Sequence, residues 1–369
     1  MVNLLFLFLS FLISLILTPL FRLFSLKFKI VDRPEKLRKI HQKPIPLLGG
    51  LAIFLSFFLV LFLSRQTIWF SNLISQADKI TDKNLIGLFI GGIFLMIGGF
   101  LDDKYNLKPS RQLIWPILAC LSVIISGIGI KFINNPLILS QNSYLFLDQL
   151  RIKIFQFNQT PYYFTPWADL ITFFWLLILM YSTKLLDGLD GLVSGLTTIG
   201  ALSIAGLCFF TQFYQPEVGL MALILAGASL GFLFFNWHPA KIFLGEGGSL
   251  FAGFILGSLA IISGSKVATT FLILGLAIID LISVIIQRVF IEKRSPFQGD
   301  QKHFHFRLLK AGFSHQTVVL FYWFFAAIFG LSALFLHTQG KVISLIVLII
   351  LGISLIVYFS SFKKIIKKE

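Results

Sequence analysis

The run Leu85-Ile86-Gly87-Leu88-Phe89-Ile90-Gly91-Gly92-Ile93-Phe94-Leu95-Met96-Ile97-Gly98-Gly99-Phe100-Leu101-Asp102-Asp103 decides the class of fold. An unbroken apolar and glycine stretch, long enough to cross the hydrocarbon of a bilayer as a helix, ends in two adjacent carboxylates. The pattern recurs. About eleven such stretches of roughly 16 to 22 residues run approximately 2 to 22, 46 to 63, 85 to 101, 112 to 130, 169 to 186, 193 to 213, 218 to 235, 249 to 264, 267 to 287, 317 to 336 and 342 to 360. None shows the two-residue alternation of a barrel strand, and an unpaired backbone is too costly in lipid, so each is expected to be helical.

The expected fold class is therefore all-α, a polytopic integral membrane protein with about 11 transmembrane helices in one domain spanning 1–369. Composition agrees: 57% of the 369 residues are hydrophobic, only 13% are charged and the mean hydropathy is +0.89, which excludes an ordinary soluble domain. The first stretch has no basic segment ahead of it and no small-residue cleavage site behind it, so it reads as an uncleaved span. Cys120 and Cys208 fall inside spans and are expected to be free thiols, silent about redox compartment. No internal repeat is visible.

Charge sets the orientation. Most of the 31 Lys and Arg lie between 22 and 46, between 102 and 111, at Lys184 and Lys241, between 287 and 316, and in the tail. Basic short loops stay in the cytoplasm, so the amino terminus is expected outside and the carboxyl terminus inside. The cytoplasmic loops are then about 23–46, 102–111, 184–192, 236–248 and 288–316. The extracytoplasmic loop at about 131–168, with Asn134, Asn135, Pro136, Pro161 and Pro166, is expected to hold two short strands and no chemistry. A net charge of +15 suits anchoring on anionic inner-leaflet lipids and attraction of phosphorylated substrates. Nucleic-acid binding is excluded for want of a basic domain outside the bilayer.

The carboxylate clusters and the basic-histidine stretch all fall on that inner side. Asp102 and Asp103 repel one another unless a divalent cation or a proton is shared. In Lys184-Leu185-Leu186-Asp187-Gly188-Leu189-Asp190-Gly191 two acids lie three residues apart; on a helix they would share a face, with glycines that let a ligand approach. In Asn236-Trp237-His238-Pro239-Ala240-Lys241-Ile242-Phe243-Leu244-Gly245-Glu246-Gly247-Gly248-Ser249 a glycine-rich loop starts a helix, whose amino end suits phosphate; Glu246 is a candidate metal ligand and Phe243 is placed to stack on a base or to anchor at the interface. The stretch from Arg294 through Lys302-His303-Phe304-His305-Phe306-Arg307 gathers groups that suit phosphate oxygens, and on an extended segment both imidazoles would point the same way. Asp280, deep in the ninth stretch, either packs against a polar partner or lines a groove.

The order of these motifs, preceded by His41-Gln42-Lys43-Pro44-Ile45-Pro46-Leu47-Leu48-Gly49-Gly50, resembles the polyprenyl-phosphate N-acetylhexosamine-1-phosphate transferases over about residues 30 to 320. The superfamily also holds the phospho-N-acetylmuramoyl-pentapeptide transferases. The resemblance implies transfer of a sugar-1-phosphate, most closely GlcNAc-1-phosphate, from a UDP-sugar to undecaprenyl phosphate with release of UMP, at the cytoplasmic face of a bacterial plasma membrane. It implies Mg²⁺, with Mn²⁺ as an alternative, and leaves a homodimer open. Position by position, it makes Asp102, Asp103, His303 and His305 catalytic, with Asp102 deprotonating or orienting the lipid phosphate. It assigns substrate binding to His41, Lys43, Lys184, Asp187, Asp190, Asn236, Phe243 and Arg294, with Asp190 on uracil, and metal binding to Glu246, Asp103 and Asp187. Three positions depart from the pattern: Lys184 replaces the usual Asn, Glu246 the usual Asp, and Phe306 the last histidine of His-x-His-His. Lys184, a cation close to where a diphosphate would lie, is expected either to substitute for neutral hydrogen bonding or to pair with Glu246 or Asp187 and weaken the metal site. The runner-up is the muramoyl-pentapeptide branch. An ion-coupled carrier would need polar residues at mid-bilayer in several spans, and Asp280 is the one acid so placed.

Overall fold

The computed structural model describes residues 2–34, 43–67, 80–134, 144–157, 160–211, 214–264, 267–293 and 302–366. His41 and Arg294 lie outside the described residues. The helices are α1 (Val2–Lys27), α2 (Gly49–Arg65), α3 (Asp82–Tyr105), α4 (Pro109–Gln112), α5 (Ile114–Ile125), α6 (Pro166–Leu186), α7 (Leu192–Phe210), α8 (Pro216–Asn236), α9 (Gly245–Ile262), α10 (Val267–Ile273), α11 (Gly275–Ile286), α12 (Phe304–Lys310), α13 (His315–Phe335) and α14 (Thr338–Ile366). A helix runs through most of each expected apolar stretch, and the chain is a mostly helical, polytopic membrane protein. Among the described residues, eight helices are long and apolar enough to cross a bilayer, or nine if α10 and the segment Gly275–Ile291, bent by 77°, count as one span. Two further stretches, Gly49–Arg65 and Pro109–Ile125, are shorter apolar helices.

Local chemistry marks the boundaries. At α3 the Thr81 side chain accepts from Asn84 N, while Thr81 N donates to the Asn84 side chain at 3.0 Å, closing a capping box. Pro166 and Pro216 open α6 and α8, where a missing N–H costs nothing. The segment 131–168 holds, among its described residues, four strands rather than two: β3 (Phe132–Asn134) pairs with β4 (Tyr144–Phe146), and β5 (Ile152–Phe157) with β6 (Thr160–Phe164), each antiparallel. A third small pair, β1 (Val31–Asp32) with β2 (Ile45–Pro46), ties the segment after α1 to the start of α2.

Helix α9 lies at the centre, almost wholly enclosed, whereas α1 and α14 turn most of their surface outward as Leu, Ile and Phe. Apolar side chains do not drive helices together in lipid, so close packing must. Small residues supply it. A Cβ on Gly50 would collide with the backbone of Gly248, and one on Gly99 with the backbone of Gly247, so α2 and α3 both touch the first turns of α9 backbone to backbone. Gly227 and Gly231 do the same for α8 against Leu7 and Phe11 of α1. Both cysteines are free and buried, as expected.

Candidate active site

Four helix ends converge with their polar groups. Asp102 and Asp103 close α3, Lys184 lies in the last turn of α6, Glu246 lies in the first turn of α9, and His303 and His305 open α12. Asp187 caps α6, and Asp187 through Gly191 form a turn rather than the helix that would place Asp187 and Asp190 on one face. Gly191 takes φ 78°, left-handed, as the residue ahead of α7, which explains glycine there.

Around Glu246 the contacts are ionic. Its backbone N–H donates to Asp103 Oδ1 at 3.2 Å, so a carboxylate of the chain already meets the amino end of α9 that the sequence offered to phosphate. Lys184 Nζ lies 2.9 Å from Glu246 Oε2 and donates to Gln112 Oε1 at 3.1 Å. Gln112 Nε2 in turn donates to Asp102 Oδ1 at 2.9 Å, where Leu107 N also donates at 2.8 Å. Of the two pairings foreseen for Lys184, the structure has the one with Glu246. Burial and the nearby carboxylates of Glu246, Asp103 and Asp190 push Asp187 well above the usual carboxylate range. A set of oxygen donors under such mutual repulsion fits a hard divalent cation.

The loop between α8 and α9 is held from both sides. Phe243 N donates to Pro46 O at 2.8 Å, Gly49 N to Phe243 O at 3.0 Å, and Gly50 N to Leu244 O at 2.8 Å. Phe243 is thereby set, half-buried, beside β2, and Lys43, two residues ahead of that strand, is exposed. Asn236 is a strut: its Oδ1 accepts from Gly191 N at 3.0 Å and Ser194 Oγ at 2.9 Å, and its Nδ2 donates to Ile242 O at 3.0 Å. Those bonds fasten the Asp190 turn to the Phe243 loop.

Asp190 organises a second group. Its Oδ2 lies 2.7 Å from His238 Nδ1 and accepts from Ala240 N at 3.0 Å, while its own N–H donates to His315 Nε2 at 3.2 Å. The His238 and His315 rings stack at 4.1 Å. Among the described residues, Asp190, His238 and His315 are the three whose ligand atoms all lie within 4.8 Å of one another, and they could hold a divalent ion. The proposed set Asp103, Asp187 and Glu246 is not drawn that close.

The histidine stretch is helical, not extended: His303 is the N-cap of α12. Its Nδ1 lies 3.0 Å from Asp280 Oδ2, and Phe304 N donates to Asp280 Oδ1 at 2.8 Å. Asp280 thus has the polar partner foreseen as one alternative. A carboxylate accepts, so Nδ1 carries the hydrogen and Nε2 is the ring nitrogen left to meet a ligand. The His303 and His305 rings remain parallel, 5.8 Å apart, so the imidazoles share a side by a different route. A Cβ on Gly188 would lie 3.0 Å from His305 Nε2 and 3.1 Å from the Phe306 ring, so this glycine admits α12 against the Asp187 turn. Both ring nitrogens of His305 are buried without a hydrogen-bond partner, and burial lowers its pKa to about 3.

Sequence reasoning gave no role to His238, His315 or Gln112. His238 stood inside a quoted motif, but nothing in the spacing linked it to Asp190, and the other two carry no signal short of the fold. Comparison with known proteins places the whole. A model of glycosyl transferase family 4 matches residues 85–264. The chain is 30% identical over 348 residues to the probable undecaprenyl-phosphate N-acetylglucosaminyl 1-phosphate transferase of Bacillus subtilis, covering 93% of this chain and 87% of the relative. It is 27% identical over 324 residues to the decaprenyl-phosphate N-acetylglucosaminephosphotransferase of Mycobacterium leprae, 80% of this chain and 74% of that one. It is 31% identical over 353 residues to the phospho-N-acetylmuramoyl-pentapeptide-transferase of Halalkalibacterium halodurans, 91% of this chain and 98% of that one. With its acids and imidazoles gathered at helix ends and this similarity running nearly end to end, the chain belongs to glycosyl transferase family 4, the superfamily of polyprenyl-phosphate N-acetylhexosamine-1-phosphate transferases.

Proposed function

We propose that the chain transfers GlcNAc-1-phosphate from UDP-GlcNAc to undecaprenyl phosphate, releasing UMP, as an early membrane step in building a cell-envelope glycan. The observation that supports this reading is a chain of contacts between separate helix ends: Glu246 N donates to Asp103, Lys184 joins Glu246 to the Asp102 network through Gln112, and α12 packs its histidines on the Asp187 turn. The reaction sets one phosphate oxyanion against another phosphorus, so it needs alignment and charge neutralisation more than covalent chemistry. Bound magnesium would supply that neutralisation, held by the oxygen donors of Asp103, Asp187 and Glu246.

The protein residues do the rest. Asp102, fixed by Leu107 N and Gln112, presents a carboxylate to orient the lipid phosphate. His303, with its tautomer set by Asp280, offers Nε2 to the phosphates. The Asp190 turn and the Phe243 loop, clamped together by Asn236, receive the uridine; Lys43, His41 and Arg294 add cationic contacts to the substrates. In this reading 1–369 is one domain with eleven spans, amino terminus out and carboxyl terminus in, and a site facing the cytoplasm of a bacterial plasma membrane.

Purified protein given UDP-GlcNAc, undecaprenyl phosphate and Mg²⁺ is expected to release UMP, and Asp102→Asn and Asp103→Asn to abolish release. No UMP with any UDP-N-acetylhexosamine, beside an active relative, overturns the assignment. The muramoyl-pentapeptide reading is kept by the similarity to the H. halodurans protein over 98% of its length, and the same donor panel separates the two.

A further inference from the structure

We propose that Lys184 is a resident counter-ion for Glu246: it neutralises the acid pocket when no divalent ion is present, and magnesium must break this pair to use Glu246 as a ligand. The inference rests on the transferase reading for the identity of the ion as magnesium. It goes beyond that reading in assigning this chain a built-in competitor for the metal.

The two residues are joined departures. An Asn at 184 brings no charge, and an Asp at 246 is one methylene shorter than the side chain that meets Lys184 Nζ at 2.9 Å. Lys with Glu therefore makes an ion pair that an Asn at 184 cannot make. The ammonium is also committed on its other side, to Gln112 Oε1 at 3.1 Å, and through Gln112 Nε2 to Asp102 Oδ1. One cation thus ties the ends of α3, α4, α6 and α9.

Position adds to the case. Asp102, Gln112, Trp115, Lys184 and Glu246 line one small cavity, which places the ammonium among the acids rather than on an outer face. The side chains of Lys184 and Glu246 are 17% and 27% exposed, so solvent screens the pair only in part. Lys184 and Asp187 share the end of α6, yet the ammonium is bonded toward α4 and α9. Asp103 and Asp187 are left without that cation, and the ion they would hold reaches Glu246 only by displacing it. Removing the lysine charge deepens the negative potential for a divalent ion and leaves Glu246 uncompensated in its absence.

The test uses the full chain in detergent, with thermal unfolding followed by tryptophan fluorescence across a MgCl₂ series and in EDTA. In Lys184→Asn, the Mg²⁺ concentration for half-maximal stabilisation is expected to fall by about three- to tenfold, the worth of a partly exposed ion pair. In EDTA the same variant is expected to unfold at a lower temperature than the parent and to regain stability with Mg²⁺. Lys184→Asn/Glu246→Asp is expected to keep the tighter midpoint, and Lys104→Asn, a lysine outside this network, to leave it unmoved. A Lys184→Asn midpoint equal to or weaker than the parent's overturns the inference. Lys184→Gln, which keeps a donor for Gln112, carries the same comparison if the Asn variant does not fold, and Mn²⁺ binding by electron paramagnetic resonance repeats it on unheated protein. UMP release by the parent is measured in parallel. A midpoint shift without UMP spares the counter-ion and sinks the transferase; UMP without a shift does the reverse.

Discussion

Asp190 meets His238 at 2.7 Å and Asp280 meets His303 at 3.0 Å, but the side chains of the first pair are 14% and 39% exposed and those of the second 4% each. The same two functional groups therefore sit in different solvents. Where water reaches the Asp190–His238 pair, it screens the attraction and can replace either partner, so the pair costs little to break and its imidazole is available to a ligand. The Asp280–His303 pair has no such substitute. Its carboxylate also takes the first N–H of α12, so one buried acid fixes a ring, its tautomer and the start of a helix. Burial, more than residue type, separates the pair whose contact water can replace from the pair that also holds the fold around the site.

The largest expected effect follows from removing the buried acid. Asp280→Ala strands the His303 Nδ1–H and the Phe304 N–H, and should lower unfolding free energy by about 3 kcal/mol or more, with loss of UMP release. Asp280→Asn keeps an acceptor for Phe304, so more of the fold should survive while turnover falls by about 100-fold with little change in KM, because the His303 tautomer is no longer dictated. An Asp280→Asn enzyme with unchanged turnover would remove the orienting role. On the open side, Asp190→Ala and His238→Ala should each cost about 1 kcal/mol or less in stability and act mainly by raising KM for the UDP-sugar. If Asp190→Ala unfolds the chain as Asp280→Ala does, the contrast between the two pairs is broken.

Metal binding sharpens the same contrast. With the catalytic ion on the carboxylates, Mn²⁺ affinity read by electron paramagnetic resonance should be lost in Asp103→Asn and unchanged in His315→Ala; the opposite pattern places the ion on Asp190, His238 and His315 instead. The smallest effect concerns pH. His305 is held neutral down to about 3, whereas an unfolded histidine takes a proton near 6.5. The unfolded chain then binds the extra proton between those values, so this residue's contribution is complete above about pH 6.5 and is lost as pH falls. His305→Gln should flatten the acid-side fall of the unfolding temperature in that window.

Much of this architecture could be read before any coordinates. Spans with few internal charges announce themselves, because lipid allows so few alternatives to a helix. Glu246, Asp103 and Lys184 were named from sequence, and so was the pairing of Lys184 with Glu246 as one of two outcomes. At Asp187–Gly191 a three-residue spacing of acids fits both a helix and a glycine-rich turn, and Gly191 at φ 78° distinguishes them. The His303–His305 alternation looked extended because Asp280, which nucleates the helix, is more than twenty residues away. Asn236 was named for its place beside the nucleotide, and the bonds by which it also fastens two loops have no local signature. His315 lies 125 residues from Asp190 in sequence, and no local pattern can anticipate that meeting.

The glycine contacts of α9 have a mechanical corollary. With Gly50 against Gly248 and Gly99 against Gly247, the backbones of three helices touch where the acids are displayed, and no side chain is interposed to yield. The floor under the carboxylates behaves as a fixed template. Adaptation to a different sugar is thereby directed away from this floor, to loops such as that of Phe243, while the spacing of the charges beneath stays the same.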